Sequence, residues 1–333
     1  MTKIITRLDN EMELISGLKR KIISVIGYGN QGRSQALNMR DSGLNVIIGN
    51  ERDRYALQAE NEGFKVKAIE EATKEGDIIF LLIPDEIQQE VFKRKIEPNL
   101  GEGKTLVFAS GYNYFYGFVK PERCDVLMIA PRMIGWGVRD YFLKGKGFPV
   151  LIAVGNNYTG RAEETLLALT ASIGALKSGG CAVYSSFREE TLLDLLSEHT
   201  WAGAILYMFR AFYEVATELG ASPEATILEL YGSGELAEIA ESMKDIGLFE
   251  QLKTHSRTSQ YGQLTRGPLF VTKEVKELIR REAMDILNGN FAREWALEQQ
   301  TGLVVFNRLK EMAKEHPMEV EEKKLYKLLR RIE

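Results

Sequence analysis

An apolar run, Ile22-Ile23-Ser24-Val25-Ile26, passes directly into Gly27-Tyr28-Gly29-Asn30-Gln31-Gly32 and then into a helix-forming stretch over residues 31–42 that Gly43 stops. Three glycines spaced G-x-G-x-x-G between a buried strand and a helix leave few folds open, because each has a steric duty. Gly27 makes the tight turn, Gly29 lets the backbone approach a pyrophosphate, and Gly32 lets the helix pack closely on the strand. The phosphates then rest on the free N–H groups at the positive end of the helix. A second strand, Asn45-Val46-Ile47-Ile48-Gly49, completes the context, and the pattern predicts a dinucleotide site built from Gly27, Tyr28, Gly29, Asn30, Gln31 and Gly32. Beyond that strand come Asn50, Glu51, Arg52, Asp53 and Arg54. An acidic side chain there would bind the ribose 2′-OH of NAD, and a basic one such as Arg52 or Arg54 the 2′-phosphate of NADP, so both cofactors stay open.

Apolar strands continue to alternate with amphipathic helices up to about residue 182, at 77–84, 105–110, 125–131 and 150–154. That alternation predicts a parallel, doubly wound sheet, an α/β domain of the Rossmann type over 1–182. Ligands of such sheets bind at the carboxyl ends of the strands, which places Pro84-Asp85, Ser110-Gly111 and Pro131-Arg132 along one crevice. From Ser186 the strand signal disappears. Ser186-Phe187-Arg188-Glu189 reads as a capping box, and the helical periodicity that follows is expected to break at Gly220, Gly232 to Gly234, Gly247 and Gly267-Pro268. A second, all-helical domain over 183–333 is the expectation.

With 333 residues, 44% of them apolar, the chain is long enough for two domains and a sizeable core. A net charge of −4 carries no electrostatic footprint for nucleic acid, and the longest apolar stretch, 78–84, is far too short to span a bilayer. The N-terminal Met-Thr-Lys-Ile-Ile-Thr-Arg lacks the apolar core of a signal peptide, and Cys124 and Cys181 fit neither a disulfide framework nor a metal spacing. The cytoplasm is the expected compartment, and a small molecule the expected partner.

Asp194 and Glu198 lie four residues apart, so both carboxylates leave one face of a helix about one turn apart and can share a cation. The flanking Leu192, Leu193, Leu195 and Leu196 suggest a mostly buried helix, in which a carboxylate needs a compensating positive charge.

The stretches GYGNQGRSQALNMRDSG (27–43), LLIPDEIQQEVF (81–92), FASGYNYFYG (108–117), FREETLLDLLSEH (187–199), SRTSQYGQLTRGP (256–268) and NFAREWALEQQTG (290–302) resemble the short-chain form of ketol-acid reductoisomerase, in the family's order and over essentially the whole chain. The resemblance implies a Rossmann domain, a knotted helical C-terminal domain, and a homodimer or higher homo-oligomer whose active site draws on two subunits. It further implies two Mg²⁺ ions held by four carboxylates, alkyl migration in an acetohydroxy acid, and reduction of the product by NADPH on the route to branched-chain amino acids. Hard cations suit both steps because they coordinate oxygen and stabilise charge developing on it.

Asp194 and Glu198 match the family's first carboxylate pair, and Ser256 the serine that contacts the substrate carboxylate. Glu229 matches the next glutamate. Its partner four residues on would be Ser233, and a two-residue insertion at Gly232-Ser233 instead aligns Glu235. Two stretches depart from the pattern. Ala109-Ser110-Gly111 stands where the family has Ser-His-Gly, and Pro131-Arg132-Met133-Ile134-Gly135-Trp136 where it has Pro-Lys-Gly-Pro-Gly-His. Ser110 and Arg132 thus occupy catalytic positions with a hydroxyl and a fixed guanidinium, Gly135 keeps a cofactor-side glycine, and Met133, Ile134 and Trp136 make that wall more apolar. Besides the family's own reaction, two readings remain: a diverged reductase of another carbonyl or imine, and a non-catalytic nucleotide-binding protein on the same fold.

Overall fold

The computed structural model describes residues 3–332, so Met1 and Thr2 of the N-terminal stretch and the final Glu333 lie outside the described residues. The chain divides into two compact units, Met1–Leu193 and Asp194–Glu333.

The first unit is a nine-stranded sheet in the order β1-β9-β8-β7-β6-β5-β2-β3-β4. Its strands are β1 (Ile4–Ile5), β2 (Ile22–Ile26), β3 (Asn45–Gly49), β4 (Lys65–Lys67), β5 (Ile78–Leu81), β6 (Thr105–Phe108), β7 (Asp125–Pro131), β8 (Pro149–Asn156) and β9 (Cys181–Tyr184). The central strands are continuous apolar runs because helices cover both faces. Ile23, Val25, Val107 and Leu127 enter one core, while the residues between them, Ile26, Leu106, Val126 and Met128, enter the other.

The sheet is mixed, where the alternation of strands and helices predicts a parallel one. β8 runs antiparallel to β7, and β1 antiparallel to β9. The first reversal has a local cause. The connecting helix Gly135–Leu143 has nine residues and packs against the helix Asn30–Asp41, so the chain stays at the carboxyl end of β7 and re-enters the sheet there. Val150 of β8 lies opposite Pro131, and the N–H of Arg132 bonds to the carbonyl of Pro149.

The first unit extends past Ala182 into the helix Phe187–Ser197, because Phe187 is part of its core. The ring of Phe187 lies 4.4 Å from Tyr114 and 6.0 Å from Phe108. Ser186 caps this helix, its Oγ accepting from the N–H of Glu189, whose own carboxylate goes to Ser185 rather than back to the cap. The leucines about Asp194 are only partly covered: Leu193 is 48% exposed, so the helix is not the buried one its sequence suggests.

Among the described residues the second unit contains helices and no strand. Breaks fall at Gly220, Gly234 and Gly247, each with positive φ. Gly267-Pro268 does not break its helix, Arg257–Phe270. Pro268 lies in the final turn, where a missing N–H costs one bond and the helix ends shortly afterwards. Among the described residues of this unit, Tyr213, Ile227 and Leu325 form a small buried cluster, while Trp201, Leu206, Phe249, Phe270 and Val304 are exposed. Among the described residues no helix is long and apolar enough to cross a membrane.

Replacing Phe187 by alanine should lower the stability of the first unit by about 3–5 kcal/mol, as for other buried Phe→Ala changes, in chemical denaturation followed by tyrosine fluorescence. An unchanged midpoint would show that the aromatic contacts do not anchor this helix.

Candidate functional site

The three glycines meet the geometry that their spacing predicts. Gly27 has φ +95°, and a Cβ there would lie 2.6 Å from the carbonyl oxygen of Leu82. At Gly32 a Cβ would lie 2.1 Å from the carbonyl oxygen of Gly27, which is the close strand-to-helix approach. Gly29 differs, since a Cβ there meets nothing within 4 Å. The space next to Gly29 is open. Gly29 is also the N-cap of the helix Asn30–Asp41 and supplies no side-chain acceptor, so the first amides of that helix present their N–H groups to an incoming anion.

Neighbouring elements hold this turn in place. Gly135 packs so tightly on it that a Cβ would lie 2.3 Å from the carbonyl oxygen of Asn30, and the Gln31 side chain donates to the carbonyl of Met133 at 3.0 Å. Tyr28 faces inward. Its ring packs edge-on against Phe64, 5.6 Å between centroids, and its hydroxyl donates to Glu62, which Arg33 also grips with two nitrogens. Burial, reinforced by Glu62, pushes the Tyr28 phenol above its ordinary range, and its hydroxyl is enclosed and engaged with Glu62.

After β3 the loop charges are engaged. The Oδ1 of Asp53 accepts from the N–H groups of Tyr55 and Ala56 at 2.8 and 3.0 Å, capping the helix Arg54–Asn61, and also from the Asn50 amide. Arg52 pairs with Glu60 at 2.6 Å, Arg54 lies over the Tyr55 ring, and Glu51 pairs with Lys95. The helix end that could have welcomed a phosphate therefore already carries a carboxylate.

The carboxyl ends of β5, β6 and β7 are stitched together by polar side chains. Pro84 is the N-cap of the helix Asp85–Val91, and Asp85 accepts from Asn113 at 2.9 Å and from Gln88 at 3.0 Å. Ser110 accepts from the N–H of Tyr112 at 3.2 Å, which leaves its O–H to donate. The residue that joins β6 to β7 is Glu190. It is 1% exposed, with one carboxylate oxygen 2.5 Å from the N–H of Gly111 and the other 3.0 Å from Nη1 of Arg132. A Cβ on Gly111 would meet the carbonyl oxygen of Phe187 at 2.2 Å, so only glycine permits this approach. Sequence reasoning missed Glu190. Its signal was present, because Glu190, Asp194 and Glu198 follow at steps of four.

Beside Arg132, Met133 folds back toward Gly137 and joins the core, while Ile134 and Trp136 are exposed. Of the apolar wall expected at 133–136, those two side chains stand at the surface.

The remaining candidates lie in the second unit. Asp194 is on the helix Phe187–Ser197, and Glu198 opens a five-residue π-helical turn, Glu198–Ala202. Glu229 lies in a second such turn, Leu228–Gly232, and Glu235 begins the helix Glu235–Ile246 after Gly234 at φ +96°. π-Helical turns are rare and recur at functional sites. Ser256 caps the helix Arg257–Phe270 by accepting from the N–H of Ser259 at 3.2 Å, which again leaves its O–H to donate. The donors are all carboxylates, the set a hard divalent cation takes. Among the described residues, however, no three His, Cys, Asp or Glu side chains come together in one metal-holding group.

Comparison with known proteins covers the chain from end to end. Residues 17–179 match the family described as acetohydroxy acid isomeroreductase, NADPH-binding domain, and residues 187–331 match ketol-acid reductoisomerase, C-terminal domain. A Saccharolobus solfataricus relative whose name, ketol-acid reductoisomerase 3, is provisional is 51% identical over 332 residues, 98% of each chain. A Methanocaldococcus jannaschii protein named ketol-acid reductoisomerase (NADP(+)) is 41% identical over 314 residues, 93% of this chain and 94% of that one. Among solved structures, an NADH-preferring ketol-acid reductoisomerase from an uncultured archaeon superposes with a TM-score of 0.88 at 33% identity, covering 94% of this chain and 96% of the other.

Gly29→Val should leave the fold intact, since its side chain would enter open space, yet reduce dinucleotide affinity at least tenfold. Fluorescence titration with NADH and NADPH checks this. Undiminished affinity in the folded variant would move the pyrophosphate away from this helix end.

Proposed function

The chain belongs to the ketol-acid reductoisomerase family, and we propose that it converts a small acetohydroxy acid by alkyl migration and NAD(P)H-dependent, Mg²⁺-assisted reduction, in branched-chain amino-acid biosynthesis. The observation that carries this reading is an uncapped helix end behind Gly29 whose Gln31 side chain bonds the carbonyl of Met133, the residue next to the Arg132 guanidinium that Glu190 holds at the carboxyl edge of the sheet. The cofactor supplies the hydride, and the cations supply positive charge to the substrate oxygens. Asp194, Glu198, Glu229 and Glu235 would hold the cations.

The Arg132 guanidinium would offset negative charge that grows on the substrate. Glu190 fixes the direction of that guanidinium and, through the N–H of Gly111, the Ser110 turn. Ser110 and Ser256 each have a hydroxyl proton to donate to substrate oxygens. The candidate cation ligands do not close into a group within one chain, and the second unit leaves large apolar side chains uncovered. Both facts support a homodimer in which a second copy completes the site and covers that surface. The working compartment is the cytoplasm, with neither nucleic acid nor membrane as partner.

A second reading, a diverged reductase without the migration step, is favoured by the same two positions. Migration requires proton movement between adjacent oxygens, for which a hydroxyl and a guanidinium are less suited than an imidazole and an amine. Oxidation of NAD(P)H with 2-acetolactate and with 3-hydroxy-3-methyl-2-oxobutanoate, each with and without Mg²⁺, separates the two. Turnover of both substrates at about 1 s⁻¹ or more, lost without Mg²⁺, is the expected outcome. Turnover of the second substrate alone selects the diverged reductase, and turnover of neither overturns both readings.

Asp53 also bears on the choice of cofactor. Its carboxylate caps the helix end where a 2′-phosphate would sit, which favours the ribose diol of NADH. Asp53→Ser, which keeps a capping oxygen and removes the charge, should raise the NADPH to NADH ratio of kcat/KM at least tenfold. An unchanged ratio would clear Asp53 of any part in selection.

A further inference from the structure

Where the resemblance places a two-residue insertion, at Gly232-Ser233, the chain leaves the widened turn Leu228–Gly232 that carries Glu229. The N–H of Ser233 reaches back five residues to the carbonyl of Leu228 at 3.0 Å. Such a turn is seldom adopted, and bonds from outside it can decide its shape.

Those bonds come from the other end of this unit's sequence. The Tyr231 hydroxyl donates to Glu322 on the helix Pro317–Leu328, and Nη1 of Arg331 donates to the carbonyl of Gly232 at 2.7 Å. Phe209 stacks on Tyr231 with 5.8 Å between centroids and 13° between planes. The C-terminal helix is itself anchored, because Leu325 shares the unit's buried cluster with Tyr213 and Ile227.

Arg331 is aimed by a helix stop. Arg330 takes a left-handed conformation, φ +54°, the N–H of Arg331 bonds to the carbonyl of Tyr326 at 2.9 Å, and that of Arg330 to Lys327 at 3.0 Å. This is a Schellman ending made with an arginine where glycine is usual. It turns the chain so that the Arg331 guanidinium lies over Tyr326, 5.2 Å from the ring centroid, and reaches Gly232.

We propose that Tyr231, Glu322 and Arg331 form a clamp through which the C-terminal helix positions the turn bearing Glu229 and thereby sets the affinity for the divalent cation. They are positioning residues, with Glu229 as the ligand. The inference rests on the reading of Glu229 as a cation ligand, made above. A carboxylate must be placed closely to serve a small hard cation, and a widened turn without outside bonds would not hold it there.

The test is calorimetric titration of the full-length protein with Mg²⁺ alone, for the wild type and for Arg331→Met, Arg331→Lys, Tyr231→Phe and Glu229→Gln, with NADH affinity and Mg²⁺-free unfolding temperature measured beside it. Arg331→Met and Tyr231→Phe should each weaken Mg²⁺ binding at least fivefold and leave NADH affinity unchanged. Arg331→Lys, which keeps one donor and the charge, should recover part of the loss. If Arg331→Met does not fold, Tyr231→Phe decides, since it removes one hydroxyl and keeps the stacked ring. Unchanged Mg²⁺ affinity in the clamp variants, with loss in Glu229→Gln, would overturn the clamp alone. Unchanged affinity in Glu229→Gln would overturn both the ligand assignment and the clamp. Equal loss of Mg²⁺ and NADH affinity would mark general damage and also overturn the clamp.

Discussion

A buried carboxylate holds the carboxyl edge of the sheet in the first unit together. Glu190 is enclosed where an unpaired charge would be costly, and it is balanced by the guanidinium of Arg132 and the N–H of Gly111. Arg132 is the exposed partner, so the cost of breaking the pair falls on the buried Glu190, which would lose the charge that offsets it. The pair therefore does more than bridge two strand ends. It sets the direction of Arg132, and it constrains the turn that carries Ser110. It also explains why residue 111 is glycine, since any side chain would strike the helix that brings Glu190 in.

Substituting arginine and serine for lysine and histidine changes which chemistry the edge can perform. A guanidinium is planar, permanently charged and able to keep one nitrogen on Glu190 while presenting others. It is a good electrostatic element and a poor proton carrier. The hydroxyl of Ser110, already accepting a backbone N–H, is directed toward donation. Stabilising an oxyanion is within the reach of this pair, whereas moving protons between neighbouring oxygens falls to substrate, solvent or cation-held groups.

The two units reach their stability by different routes. The first buries both faces of a sheet under helices and needs nothing further. The second has one small buried cluster, and its helices carry exposed tryptophan, phenylalanine and leucine side chains. Apolar surface of this extent is the kind that marks an interaction site, and it is the feature on which the proposal of a second copy rests.

Much of this was legible in the residues alone. The glycine spacing behind β2, the apolar strands and the switch to helical periodicity at Ser186 are local patterns, governed by sterics within a few residues, and they determined the fold class and the dinucleotide turn. The direction of β8 was not legible, because it follows from a short helix lodging against Asn30 and Gln31 rather than crossing the sheet. Pro268 misled because its effect depends on how near the helix end it falls. Glu190 shows the same limit at the site: its spacing from Asp194 is visible in sequence, but its partners, Gly111 and Arg132, are 79 and 58 residues away. The sequence by itself determined which groups can bind a dinucleotide or a hard cation. Only the tertiary structure decided which of them meet, because burial charges each polar group for its lost water and so selects the contacts that repay it.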